Sequence, residues 1–192
     1  MDLLKEVIKK YVNAADKDLA LLDTYFKIKL IPKTAYLHKN GEVFHNAAFV
    51  QKGLFRTFII DDDGVEHTLQ FASRGWWAGD LGSFISGMPS KFFAEALEDS
   101  EILTIEKSNW DSLLKEAPFY LDYHRRLLEK GLIATQNRLL ESYSTNASQK
   151  YIKLLKTFPD ILQRVPHYMI ASYLGMSRET LSRVRKQLAT EK

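Results

Sequence analysis

Apolar residues recur at helical spacing near both ends of the chain and at strand spacing between them. Leu3/Leu4, Val7/Ile8 and Tyr11, then Leu19, Leu22 and Phe26, step by three and four, so the first 26 residues read as one or two amphipathic helices. From Lys27 to about Lys107 the pattern shortens to strands punctuated by Gly41, Gly53, Gly64, Gly75, Gly79, Gly82 and Gly87. There Val65, His67, Leu69 and Phe71 alternate with Glu66, Thr68 and Gln70, which predicts a half-buried strand. GLFRTFII (53–60) is its hairpin partner, with Asp63-Gly64 as the type I′ pair of the turn. The triplet Asp61, Asp62, Asp63 reads as a solvated turn, because calcium loops space their oxygens at alternate positions. Many short strands between turns predict a compact roll or barrel.

Helical spacing returns from Ser108. Pro118 suits the start of a long helix running to about Tyr143. Along it Leu121, His124, Leu128, Leu132, Thr135 and Leu139 form a coiled-coil-like seam, for which a homodimer is the favoured reading and packing against the roll the alternative. A second stripe, Ile133, Leu140 and Tyr143, is available to cover the roll. SYSTNAS (142–148) reads as a hinge, with Asn146 or Ser148 available to cap a short basic helix, KYIKLLKTF. FPDILQRVP is a connector, and Pro166 suits the first turn of a further helix.

Two helices then follow closely, about 166–174 and 177–188, joined at Leu174-Gly175-Met176-Ser177. A helix-turn-helix needs a small residue at the crossing, glycine in the turn and apolar residues between the helices. Ala171, Gly175, and the set Ile170, Leu174, Met176, Leu181 and Val184 meet those needs. At 100° per residue Leu181, Val184 and Leu188 face inward, while Glu179, Ser182, Arg183 and Lys186 face outward, with Arg178 on the flank. Ser177 is placed as N-cap within reach of a phosphate. Guanidinium groups can bridge the two acceptors of guanine, and a carboxylate can accept from cytosine. A lone glutamate among cations repels phosphates, so its outward position points to base reading.

Charge sharpens this picture. Residues 147–192 hold nine Lys/Arg against three Asp/Glu, and residues 1–146 hold eighteen against twenty-one, so the net +3 belongs to the last quarter. The asymmetry suggests a polyanion partner for that quarter, a solvated basic surface being the alternative source of the same balance. Cysteine is absent, which excludes disulfides, thiol catalysis and an iron–sulfur cluster held by this chain. No apolar run approaches a membrane span, and MDLLKEVIKKY is no secretory signal, so a cytoplasmic protein without membrane contact is expected.

IASYLGMSRETLSRVRK resembles the Crp/Fnr family of bacterial transcription regulators, its Ser-Arg-Glu-Thr…Arg arrangement matching the recognition helix of cyclic-AMP receptor proteins. The resemblance spans nearly the whole chain. It implies an α+β fold in three parts: a β-roll effector domain of the cyclic-nucleotide-binding type with N-terminal helices (1–117), a long dimerisation helix and hinge (118–145), and a DNA-binding helix-turn-helix domain (146–192). It implies base contacts for Arg178, Glu179 and Arg183, with Ser177, Ser182 and Lys186 beside them. Double-stranded DNA with a palindromic site, a second copy through the long helix, and RNA polymerase are the implied partners.

In the roll the resemblance rests on GDLGSF (79–84) and Pro89-Ser90-Lys91, where the family has its phosphate-binding cassette, so Gly79, Asp80, Leu81, Ser90, Lys91 and Thr135 are the candidate effector residues. Cyclic-AMP binders have Gly-Glu-Leu, then Arg-Ser, with glutamate on the ribose and arginine on the cyclic phosphate. Here Asp80 is shorter, and Ser90-Lys91 lacks the planar guanidinium fork. The resemblance admits a cyclic nucleotide, but the cassette is degenerate and the effector stays unassigned. Family members commonly add a C-terminal wing, and only four residues follow Leu188; Lys150, Lys153 and Lys156 are candidates for the missing phosphate contacts.

Two other readings compete. A cupin-like metal enzyme needs convergent ligands, and the chain has no His-x-His. His38, His45, His67 and His124 lack a haem motif and read as surface or core residues, and Trp76-Trp77 reads as roll packing. A ligand-binding sensor whose C-terminal helices only dimerise predicts no preference for a palindromic duplex.

Overall fold

The structure is a computed structural model that describes residues 1–190. Three short helices open the chain: α1 (Asp2–Lys9), α2 (Asp16–Leu19) and α3 (Leu22–Tyr25). The count exceeds the one or two predicted because the apolar stripe breaks after Val12, and Asp16 and Asp18 favour a new helix start. Lys9 ties the two pieces together through Asp16.

Eight strands follow: β1 (Lys27–Ile31), β2 (Tyr36–His38), β3 (Asn46–Lys52), β4 (Leu54–Ile60), β5 (Glu66–Ser73), β6 (Trp77–Ala78), β7 (Phe93–Ala96) and β8 (Ser100–Glu106). The helix α4 (Leu81–Ser86) lies between β6 and β7, and α5 (Lys107–Glu116) follows β8. The strands form two four-stranded sheets, ordered β1-β8-β3-β6 and β2-β7-β4-β5. The central strands β3 and β8 bury Ala47, Ala48, Phe49 and Val50 against Ile102, Leu103 and Ile105, so both of their faces are inside and their sequences do not alternate. Leu4 and Ile8 of α1 and Trp110 and Leu113 of α5 complete this core. Fully burying such a side chain contributes about 1.5–3 kcal/mol.

The helix α6 (Pro118–Ser144) begins where the proline predicts. Its first turns are core: Tyr120 and Tyr123 are inaccessible, and the Tyr123 hydroxyl accepts a hydrogen bond from the Trp77 indole at 3.0 Å. His124 departs from the expected seam. It is 8% exposed and packs edge-on against Trp110 at 4.8 Å, whereas Leu121, Leu128, Leu132 and Leu139 are exposed. A heptad step and a turn buried on a neighbouring roll place residues identically, so spacing alone could not separate them. The second stripe, Ile133, Leu140 and Tyr143, is also exposed.

The described chain divides into two compact units, Met1–Ile59 with Gln70–Lys130, and Ile60–Leu69 with Gly131–Lys192. The second holds the tip of the β4–β5 hairpin, the bare half of α6, and four more helices: α7 (Ala147–Thr157), α8 (Ile161–Arg164), α9 (His167–Leu174) and α10 (Arg178–Thr190). Asn146 caps α7 by accepting from the Gln149 amide at 2.9 Å. Tyr151, Leu154, Phe158, Ile161, Val165, Ile170, Ala171, Leu174, Leu181 and Val184 form its core.

The hairpin tip corrects two expectations. Only Gly64 there has a positive φ, +78°, so Asp63-Gly64 is not a type I′ pair. Instead Gly64 donates to the Asp61 carbonyl at 3.0 Å, and the Asp61 carboxylate accepts from the amides of Asp63 and Val65 and meets His67 at 2.6 Å. That hydrogen bond with His67, and then the Val65 amide, hold Asp61 below the usual carboxylate range. The second correction is the strand's inward face: Thr68 is 4% exposed, whereas Val65 and His67 are exposed. The cause lies about a hundred residues away. Ser172 Oγ of α9 accepts from the Thr68 amide at 2.9 Å and donates to the Glu66 carbonyl at 3.1 Å, while Arg138 of α6 donates to the Leu69 carbonyl.

Candidate nucleic-acid interface

The turn between α9 and α10 has the geometry its sequence demands. Gly175 sits at φ 65°, ψ 41°, and the amides of Gly175 and Met176 donate to the carbonyls of Ser172 and Ala171, each at 3.0 Å. This pair of bonds satisfies the last carbonyls of α9 in a left-handed cap that favours glycine. Ala171, 2% exposed, supplies the small residue at the crossing. Ser177 Oγ accepts from the Thr180 amide at 3.1 Å and caps α10.

Leu181 and Val184 are buried, Leu188 is partly buried, and Arg178, Glu179, Ser182, Arg183 and Lys186 are exposed, as the helical rotation predicts. All five exposed residues line one open surface with Gln187 and Thr190. Glu179 forms no ion pair with Arg183, although they stand four apart. Its own backbone amide, then the Ser177 hydroxyl, hold the Glu179 carboxyl below its ordinary range, so the acid is drawn to the helix N-terminus. Arg183 and Lys186 have no side-chain hydrogen bond or ion pair among the described residues and stand free on the surface.

Two contacts here escaped the sequence reading. Arg178 lies over the Tyr168 ring at 5.1 Å, and Arg185 reaches His167 at 2.7 Å. Both partners sit at the start of α9, where the apolar run HYMIASYL hides surface residues among core ones. Lys153, one of the three lysines considered for phosphate contacts, pairs with Glu141.

In the roll, Asp80 is the N-cap of α4, accepting from the Ser83 amide at 3.1 Å, and its second oxygen accepts the Ser90 hydroxyl at 2.8 Å. Ser90 is 2% exposed. Gly79 backs onto Phe44, Leu81 is exposed, and Lys91 is exposed with no ion pair. Arg56, the one buried arginine of the described chain, pairs with Glu95 at 2.6 Å and covers Phe58. Thr135 is exposed, and its hydroxyl donates to the Gly131 carbonyl of its own helix at 2.9 Å. The residues present do not fit a cyclic phosphate: the carboxylate is already satisfied by protein donors, and the cassette from Gly79 to Lys91 contains no arginine to meet an anion. Trp77 packs among Phe49, Trp110 and Phe26, whereas Trp76 is 40% exposed. Among the described residues no group of three His, Asp or Glu side chains could hold a metal ion, and no helix is long and apolar enough to cross a membrane.

Comparison with known proteins agrees with this architecture. Residues 28–117 match the cyclic nucleotide-binding domain. The chain is 29% identical over 178 residues to the cyclic AMP receptor protein of Thermus thermophilus, covering 91% of this chain and 81% of that protein. It is 24% identical to the cAMP-activated global transcriptional regulator of Salmonella typhimurium, covering 90% and 87%. Among solved structures, the Thermus thermophilus catabolite activator protein superposes with a TM-score of 0.61 at 26% identity, covering 94% of this chain and 86% of that one. The c-di-GMP responsive regulator CLP of Xanthomonas campestris shares the fold, with a TM-score of 0.69 at 18% identity and coverage of 92% and 93%. The chain therefore carries a cyclic nucleotide-binding domain in the fold of a Crp/Fnr-type regulator. Its homologues and structural neighbours are regulators of the Crp/Fnr family, not enzymes.

Proposed function

We propose that the protein is a homodimeric, sequence-specific DNA-binding transcriptional regulator of the bacterial cytoplasm whose α10 reads the major groove. The observation that carries this reading is the outward face of α10, where Arg178, Glu179, Ser182, Arg183 and Lys186 are exposed together and Glu179 is not neutralised by Arg183. An acidic side chain on a DNA-facing helix weakens phosphate binding, so its place there suits contact with a cytosine amino group. Ser177 caps the helix and its hydroxyl meets Thr180 and Glu179, so a phosphate contact from it requires that its hydroxyl turn outward. Two readers on a two-fold axis suit half-sites about one helical turn apart, and the exposed Leu121, Leu128, Leu132 and Leu139 supply the apolar seam for that pairing. The functional parts follow as roll 1–117, long helix and hinge 118–145, and reader 146–192. RNA polymerase is the partner through which such a dimer controls transcription.

The relatives are named for cyclic AMP, but Asp80, Ser90 and Lys91 here favour a different effector or none. The roll surface around Gly79 and Leu81 is where an effector would shift the population of DNA-competent dimers. The test is a salt-titrated binding assay against duplexes enriched from a random pool. A palindromic winner that survives moderate salt is the expected outcome; affinity that collapses equally for all duplexes leaves only non-specific polyanion binding.

A further inference from the structure

The cations of α10 differ in how they are held, and one of them is braced by α9. Arg178 and Arg183 are both exposed and both line the outward face. Arg183 touches no side-chain partner, so it samples its rotamers in water. Arg178 instead has its guanidinium carbon 5.1 Å from the centroid of the Tyr168 ring. Within α9, Met169, Ile170, Ala171 and Leu174 are buried, whereas His167 and Tyr168 at its start are exposed, Tyr168 at 40%. Burying a ring would have been the cheaper use of an aromatic residue in an apolar helix. Here the ring lies at the surface with a guanidinium over it.

We infer that Tyr168 is a positioning residue for Arg178, a ring face on α9 that restricts the arginine to the rim of the α10 surface and so sharpens discrimination at the base pair Arg178 reads. This deepens the DNA-reading proposal and rests on it. The mechanism is entropic. A free arginine loses much of its side-chain freedom when it meets a base edge. One already held by attraction between cation and ring quadrupole loses less. The ring also leaves the planar fork unspent, because a cation held over a ring gives up none of its N–H donors to an acceptor. An ion pair to Arg178 would have consumed those donors. Arg185, by contrast, is half-buried and has its Nη1 2.7 Å from the His167 ring, so it is turned towards α9 rather than onto the outward face.

The test uses the full chain and the duplex it enriches from a random pool, with each base pair of a half-site replaced in turn. Arg178→Ala first identifies the base pair that Arg178 reads. Tyr168→Leu is expected to reduce discrimination at that pair by about three-fold. It should leave other positions, affinity for random duplex and the salt slope unchanged. Tyr168→Phe, which keeps the ring, should match the wild type, and Tyr168→Leu should change nothing further in an Arg178→Ala background. Tyr168→Gln repeats the measurement with a polar side chain should the leucine variant fail to fold.

A uniform loss of affinity across all duplexes overturns the inference and makes Tyr168 a backbone-binding or packing residue. Undiminished discrimination overturns it too, as does a full Tyr168→Leu effect without Arg178. A wild-type protein that enriches no sequence overturns the DNA-reading proposal itself, a result distinguishable from any of these.

Discussion

Asp80 accepts the Ser90 hydroxyl at 2.8 Å while its other oxygen caps α4, so the carboxylate at the heart of the cassette is closed on protein donors. Opening it to a ribose hydroxyl would break a cap and strand a serine that is 2% exposed. Cyclic AMP at millimolar concentration is therefore expected to leave the thermal midpoint unchanged, because a ligand stabilises only by binding the native state. An upward shift that grows with nucleotide concentration would show that the cassette opens. Asp80→Ala is expected to lower stability by about 1 kcal/mol or more, the usual cost of a lost N-cap, read by urea denaturation.

Arg56 and Glu95 are 3% and 13% exposed and meet at 2.6 Å, with the guanidinium also over Phe58 at 3.9 Å. Removing one partner of such a pair leaves a buried charge uncompensated, at about 3–5 kcal/mol. Glu95→Gln should lower the unfolding midpoint far more than Asp122→Asn, whose carboxylate pairs with exposed arginines on the surface of α6.

Burial holds His38 and His124 below their ordinary value of 6.5, with Asp80 partly opposing the shift at His38. Their folded pKa values are lowered, so the unfolded chain binds more protons below pH 6.5. Stability from these two is full above that pH and is lost as pH falls through the lowered values. Urea titrations from pH 7.5 to 5 should show this decline, and His124→Phe should flatten it. A stability that rises on acidification would contradict the assignment.

The seam of α6 makes a separate prediction. Leu132→Asp introduces a charge at a position 61% exposed in the single chain, so it should leave the folded protomer intact. Placed in a helix pair the same charge is desolvated. Sedimentation should show a dimer-to-monomer shift at micromolar concentration with an unchanged circular dichroism spectrum.

Local patterns carried far in this sequence. The helix-turn-helix was legible because its demands fall within twenty residues: Ala171 at the crossing, Gly175 in the left-handed turn, Leu181 and Val184 inside. The seam was legible in part. Leu128 and Leu132 lie exposed in line with it, but His124 is captured by Trp110, which no periodicity could announce. The inverted face of β5 was hidden for a similar reason. Its tip answers to Ser172 and Arg138, and contacts over such separations leave no local trace. The Tyr168 brace escaped because an aromatic residue inside HYMIASYL looks like core until exposure is known.

Gly131 is the lone glycine of α6, and a side chain there would meet nothing within 4 Å, so no crowding requires it. It stands at the point where the helix changes from packed turns around Tyr120, Tyr123 and His124 to turns with no buried residue, held by polar contacts such as Arg138 with the Leu69 carbonyl. A residue of poor helical propensity at that boundary, about 1 kcal/mol worse than alanine, gives the rod two mechanical halves. The amino-terminal half is welded by its aromatics, while the other can melt back from Ser144 and be arrested at the weld. Any loss of helix in such a rod should therefore begin beyond Gly131 and stop short of the aromatic turns.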